Sequence, residues 1–108
     1  MGELRATVRR VSGWPEVDIE RLGAVCARYG IAALDVFGSA ARGEDGPSSD
    51  LDLLYELRPG ARLGWEIDDL VEELSEIFDR PVDLVSRRAI HPRLRDRILR
   101  EARPLYAA

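Results

Sequence analysis

Residues 31–57 read IAALDVFGSAARGEDGPSSDLDLLYEL. Ile31 to Gly38 is a short apolar run that stops at a glycine, the pattern of a buried strand. Residues 39–49 hold two Gly, one Pro and three Ser, which predicts a turn or a short helix followed by a loop. Asp50 to Leu57 reads as a second strand, ended by Arg58-Pro59-Gly60. Upstream, Asp18 can cap a helix running to about Tyr29, with Gly30 just past its end. Its apolar stripe is Ile19, Leu22, Val25, Cys26 and Tyr29. Downstream, Gly64 to Asp79 carries one apolar face (Ile67, Leu70, Val71, Leu74, Ile77, Phe78) and one acidic face (Asp68, Asp69, Glu72, Glu73, Glu76). Pro81 opens a third strand over residues 81–86. Pro92 suits the first turn of a last helix, with Leu94, Ile98, Ala102 and Leu105 expected to face the core. The expected fold is a small α/β (α+β) domain, with helices packed on a mixed sheet of three to four strands. Residues 1–17 lack periodicity and read as an N-terminal arm, leaving 18–108 as the domain.

Composition narrows the function. The chain has 108 residues, enough for one domain, and is 45% hydrophobic and 33% charged, which predicts a folded, soluble protein. No apolar run reaches the ~20 residues of a membrane span, and the N-terminus lacks the apolar core of a secretory signal, so a cytoplasmic protein is expected. Every one of the 16 basic residues is arginine. That excludes a P-loop and a Schiff-base lysine. One cysteine and one histidine exclude a Cys-based zinc site and a His-rich metal site. Net charge is −4, which argues against direct nucleic-acid binding. The charge is uneven: +1 over residues 1–43, −10 over 44–79 and +5 over 80–108, two surfaces suited to different partners.

Asp50 and Asp52 lie two apart on one strand, so their side chains share a face with Cα atoms about 6.5–7 Å apart. Asp83 is the one charged residue of the third strand, and a carboxylate among apolar neighbours needs a partner. If that strand lies beside the second, Asp50, Asp52 and Asp83 form a cluster whose mutual repulsion a divalent cation would relieve. Oxygen ligands without His or Cys select Mg²⁺ or Mn²⁺, one ion or two, which points to phosphoryl or nucleotidyl transfer. Gly38-Ser39 supplies a close backbone approach and a hydroxyl for a phosphate, and Arg42 is either a phosphate ligand or a surface residue. Arg87 and Arg88 read as a solvated turn, Cys26 as core, His91 as a helix-cap residue and Asp35 as a surface position.

Gly38-Ser39, ten residues, then Asp50-Leu51-Asp52 resembles the G-S-x10-D-x-D signature of the DNA polymerase beta-type nucleotidyltransferase superfamily. The stretch FGSAARGEDGPSSDLDLLYEL is similar to the minimal nucleotidyltransferase group, whose members are often antitoxins paired with a HEPN-domain toxin. The resemblance spans about residues 18–106 and implies the nucleotidyltransferase fold. It implies that Gly38 and Ser39 hold the triphosphate of ATP, that Asp50 and Asp52 bind Mg²⁺, and that Asp83 joins the metal site and helps activate the attacking hydroxyl. The implied reaction moves AMP from ATP to a hydroxyl, a tyrosine by family analogy, of the partner toxin. Two other readings stand beside it. A non-catalytic module could neutralise the HEPN toxin by complex formation alone, with residues 44–79 docked on a basic surface. A transferase for a small molecule such as an aminoglycoside is disfavoured because the catalytic elements, about 31–86, leave only packing helices and no substrate domain.

Overall fold

A computed structural model describes residues 7–8, 18–43 and 50–107. Helix α1 (Ile19–Arg28) begins where the Asp18 carboxylate accepts a hydrogen bond from the Arg21 amide at 3.0 Å. It buries Leu22, Val25 and Cys26, the expected stripe. Gly30, at φ +72°, turns the chain out of the helix, and a side chain there would meet the Ala61 Cβ at 3.0 Å. Strand β2 (Ile31–Phe37) follows and pairs antiparallel with β3 (Leu51–Leu57), in a register that sets Phe37 opposite Asp52. Helix α2 (Ile67–Phe78) then carries the chain back so that β4 (Val82–Ser86) can run parallel to β3. A parallel neighbour requires such a crossover, because a tight turn can only join antiparallel strands.

Three-turn helix α2 ends at Asp79, the one non-glycine residue with positive φ among the described residues. Ser75 ties helix to strand: its hydroxyl donates to the Val71 carbonyl at 2.7 Å and accepts from the Val82 amide at 3.2 Å. Arg28 and the Tyr29 hydroxyl both reach the Glu73 carboxylate, and Arg21 reaches Glu76 at 3.2 Å, so α1 and α2 are clasped along their outer edges. Such exposed pairs contribute ~1 kcal/mol or less each. The main cohesion is apolar. Leu34, Val36, Leu51, Leu53 and Val82 on the sheet meet Leu22, Val25 and Cys26 of α1 and Leu70, Leu74, Ile77 and Phe78 of α2 in one buried cluster. Burial pushes the Cys26 thiol up to about 12, so it is a core residue and not a nucleophile at neutral pH.

The C-terminal part differs from the sequence reading. Helix α3 (Pro92–Glu101) is capped by His91, whose Nδ1 accepts from the Arg93 amide at 3.1 Å. It buries no residue, and Leu94 is 48% exposed. Ala102 and Leu105 are not helical: the chain turns extended at Ala102 and forms β5 (Arg103–Ala107). This strand pairs antiparallel with β2 and buries Leu105 and Tyr106 in the core. The helix reading failed because Leu105 and Tyr106 occur at a helix-compatible spacing from Ile98, while Pro104 argues against a strand. The proline is accommodated where the β2–β5 register shifts between Leu34 and Asp35. A two-residue strand β1 (Thr7–Val8) adds to the outer edge of β5. It falls inside the stretch expected as an arm; the rest of residues 1–17, and residues 44–49 of the expected loop, lie outside the described residues. The order β5-β2-β3-β4 is thus a mixed four-stranded sheet with β1 on its margin, on which α1 and α2 pack. No helix of the described residues is long and apolar enough to cross a membrane.

Tyr106 is 1% exposed and its hydroxyl has no hydrogen-bond partner among the described residues. A buried, unpaired hydroxyl costs about 1–3 kcal/mol. Tyr106→Phe should therefore leave the fold intact and raise its stability by about 1 kcal/mol, measured by urea denaturation. A loss of stability would show that the hydroxyl is paired in solution.

Candidate active site

Side chains alternate along a strand, so the burial of Leu51 and Leu53 in the helix-covered core sends Asp52 and Leu54 to the opposite face. Register brings the neighbours in: Phe37 stands opposite Asp52 on β2, and Asp83 lies directly beside Asp52 on β4. Adjacent strands are about 4.8 Å apart, so the Asp52 and Asp83 backbones are neighbours although 31 positions separate them in sequence. Asp50 precedes β3 by one residue and is exposed.

Gly38 follows β2 at φ +73°, and a Cβ placed on it would come to 2.5 Å from the Asp52 carboxylate oxygen. The glycine is required twice, by its backbone conformation and by the carboxylate that occupies the space a side chain would need. After it, residues 39–43 form a tight turn. The Arg42 amide donates to the carbonyls of Gly38 and Ser39 at 3.3 and 3.2 Å, and Gly43 donates to Ala40 at 3.2 Å. Ala40 and Ala41 are buried and fix this turn to the core. Among the described residues no full helix follows Gly38-Ser39; a turn alone follows the glycine that lies against Asp52.

Asp52 is half-buried, and its carboxyl is held above the ordinary aspartate range. Burial is the largest cause, followed by the nearby charges of Asp83 and Asp50; Arg42 acts in the opposite direction. Asp52 therefore feels the charges of both neighbouring aspartates. They are not drawn into a ready-made cage: among the described residues no three acidic, His or Cys side chains are placed to hold an ion by themselves. Asp83 is exposed, which corrects the expectation of a carboxylate enclosed by apolar neighbours. The reason is that β4 is the outermost strand and its polar face opens to solvent. An all-oxygen donor set with few protein ligands still fits Mg²⁺, which is usually held by one or two carboxylates together with substrate phosphates and water.

Arg42 points away from the turn to the end of α3, where Nη1 lies 3.1 Å from Oε2 of Glu101. Nothing in the spacing of the sequence signals Glu101, because it reaches the site only through the return of β5 beside β2. Asp35 is also not a plain surface residue. It is half-buried opposite Leu54, and its carboxyl is raised chiefly by burial, with Arg87 opposing. Arg87 stands 3.6 Å from Glu56, so it belongs to the far end of β3 and not to the Asp52 end.

The model of the nucleotidyltransferase domain family matches residues 20–105, and the chain belongs to that family. Over 78 residues it is 38% identical to Putative protein adenylyltransferase MJ0435 of Methanocaldococcus jannaschii, covering 72% of this chain and 83% of the relative. The solved structure of a putative minimal nucleotidyltransferase superposes with a TM-score of 0.67 at 44% identity, over 81% of this chain and 88% of that one. A toxin–antitoxin structure with AMP-PNP shares the fold, with a TM-score of 0.66 at 19% identity over 85% and 75% of the two chains.

The geometry makes a linked prediction about charge and stability. Ionising Asp52 in the folded protein costs free energy, because its folded carboxyl titrates above the unfolded one. The cost is absent below the ordinary aspartate value of 3.8 and complete once pH passes the raised folded value. Asp50→Asn with Asp52→Asn should stay folded and melt higher than the parent at pH 7 without nucleotide, with the gain shrinking in acid. A double variant that unfolds would make the two aspartates structural.

Proposed function

We propose that this chain is a cytoplasmic, Mg²⁺-dependent protein adenylyltransferase that moves AMP from ATP to a hydroxyl of a HEPN-domain toxin and thereby acts as its antitoxin. The observation that carries the reading is the contact of the Gly38 backbone with Asp52, flanked by Asp83. It sets bare backbone against a pair of neighbouring carboxylates, the two halves that nucleotidyl transfer needs. The name of the Methanocaldococcus relative supports a protein acceptor. The shared fold with a toxin–antitoxin structure holding AMP-PNP supports a toxin partner and an adenine nucleotide.

In this reading Gly38 and the Ser39 hydroxyl receive the triphosphate, with Arg42 beside them. Asp50, Asp52 and Asp83 would hold Mg²⁺, which when bound offsets the charge of the triphosphate and of the carboxylates. Asp83, exposed at the sheet margin, accepts the proton of the incoming hydroxyl. The freed oxygen bonds to the α-phosphorus from the side opposite the leaving group. The bond from that phosphorus to the bridging oxygen breaks, and pyrophosphate departs with both bonding electrons. Most of the rate enhancement comes from alignment and charge compensation, since phosphoryl-type transfer asks little covalent chemistry of the protein. A tyrosine acceptor is the residue the family analogy favours. AMP on it would set a bulky anion in a ribonuclease centre and repel RNA phosphates.

Two measurements test this. Mg-ATP should raise the melting temperature more than ATP alone, and at 100 times its Kd it should stabilise by about 2.7 kcal/mol. Incubation with a HEPN-domain partner and Mg-ATP should add AMP to that partner by intact-mass spectrometry, and should fail with Asp52→Asn. Tight complex formation without added mass would favour neutralisation by binding alone.

A further inference from the structure

Strands β3 and β4 run parallel, and their carboxyl ends point away from the Gly38 turn. Arg58, just past β3, lies about 20 Å from Asp52 at the usual rise of a strand. In sheets with parallel strands, ligands settle in the crevice beyond the carboxyl ends, where the two chains leave in different directions. Here β3 leaves into a turn at Arg58-Pro59-Gly60-Ala61, and β4 leaves into a single 3₁₀ turn at Arg87–Ala89. A cavity of about 80 Å³ opens between the two exits, with Tyr55, Glu56, Arg58, Gly60, Ser86 and Arg88 on its wall. Tyr55 and Ser86 stand in register across the parallel pair. The rim is tied to the rest of the fold: the Arg58 amide donates to the Gly30 carbonyl at 2.8 Å, and the Ala61 amide donates to the Arg58 carbonyl at 2.9 Å.

Positive charge on this wall is not matched by the protein. Arg21, Arg28, Arg42, Arg87 and Arg97 each reach a carboxylate. Among the described residues Arg58 and Arg88 are in no ion pair, and the Ser86 hydroxyl caps no backbone group. Glu56, the acidic residue on the wall, already has Arg87 at 3.6 Å. We infer that the cavity binds a phosphate dianion, either free or at the end of a phosphate monoester. Two guanidiniums match its two charges, and each offers a planar fork of N–H donors that fits an edge of the phosphate. A carboxylate would answer only one of them. The hydroxyls of Ser86 and Tyr55 add neutral donors to the same wall. The volume is that of roughly three water molecules, which suits a tetrahedral oxyanion and leaves any organic part of the ligand outside the mouth. The inference is independent of the nucleotidyl-transfer reading, because none of these residues belongs to the Gly38 and Asp52 site.

The test is titration of the ¹⁵N-labelled chain with sodium phosphate, followed by amide shifts, against sodium chloride of equal ionic strength. It is run near pH 7.5, where phosphate carries close to two charges. Shifts at Arg58, Gly60, Ala61, Ser86 and Arg88 should saturate with a Kd on the order of 1 mM. Arg58→Gln and Arg88→Gln should each weaken binding by roughly five- to tenfold. Arg58→Lys and Arg88→Lys should lose less, since lysine keeps the charge without the fork. All four should melt within about 4 °C of the parent, because both side chains are exposed. Phenyl phosphate separates the two sources: binding as tight as inorganic phosphate assigns a monoester, and exclusion assigns the free ion. Shifts confined to residues 38–43, equal shifts with chloride, or unchanged affinity in both glutamine variants would overturn the inference.

Discussion

The candidate site depends on a close approach between a backbone and a carboxylate. Gly38 leaves β2 with positive φ, and the Asp52 side chain occupies the place where any other residue would carry its Cβ. That contact exists because β2 and β3 pair in a register that opposes Phe37 to Asp52. A slip of one residue would turn Asp52 into the apolar core and Leu53 out to solvent. The packing of Leu51 and Leu53 under α1 and α2 therefore does more than stabilise the fold. It locks the register, and the register places the carboxylate against the glycine.

The two faces of the sheet have separate duties as a result. One is sealed by α1 and α2 around an apolar cluster, and the other carries Asp35, Asp52 and Asp83. Asp52 sits where these duties meet: buried enough for its charge to be costly, yet adjacent to Asp83 on the open edge strand. A binding site of this kind stores unfavourable electrostatics that a cationic ligand would relieve. The tight turn of residues 39–43 is held by the same packing, since its alanines are anchored in the core while Arg42 reaches Glu101 at the end of α3.

Some of this was legible in advance and some was not. The α1 stripe, the α2 stripe and the β2–β3 pair were readable because their apolar residues recur at helix and strand periods and are bounded by Asp18, Gly30 and Arg58-Pro59-Gly60. The G-S-x10-D-x-D spacing pointed to the site because both halves lie on one pair of adjoining strands, where sequence distance and spatial distance are tied by a single connection. The last strand was misread as helix: Pro104 argues against a ladder position, and only a register shift opposite Leu34 and Asp35 admits it. The half-burial of Asp35 is not legible in the sequence, because alternation alone does not say how much of the open face its neighbours cover.

The sequence by itself determined the periodic elements, the residue types of the site and the glycine that a close backbone approach demands, since each of these is a local property of chain and spacing. Only the tertiary structure decided that Asp83 stands beside Asp52 on an open edge, that β5 inserts beside β2, and that Glu101 therefore reaches Arg42. Those are contacts between residues far apart along the chain. They are fixed by which strands pair, and pairing is chosen by burying the whole apolar cluster at once and not by any one stretch of residues.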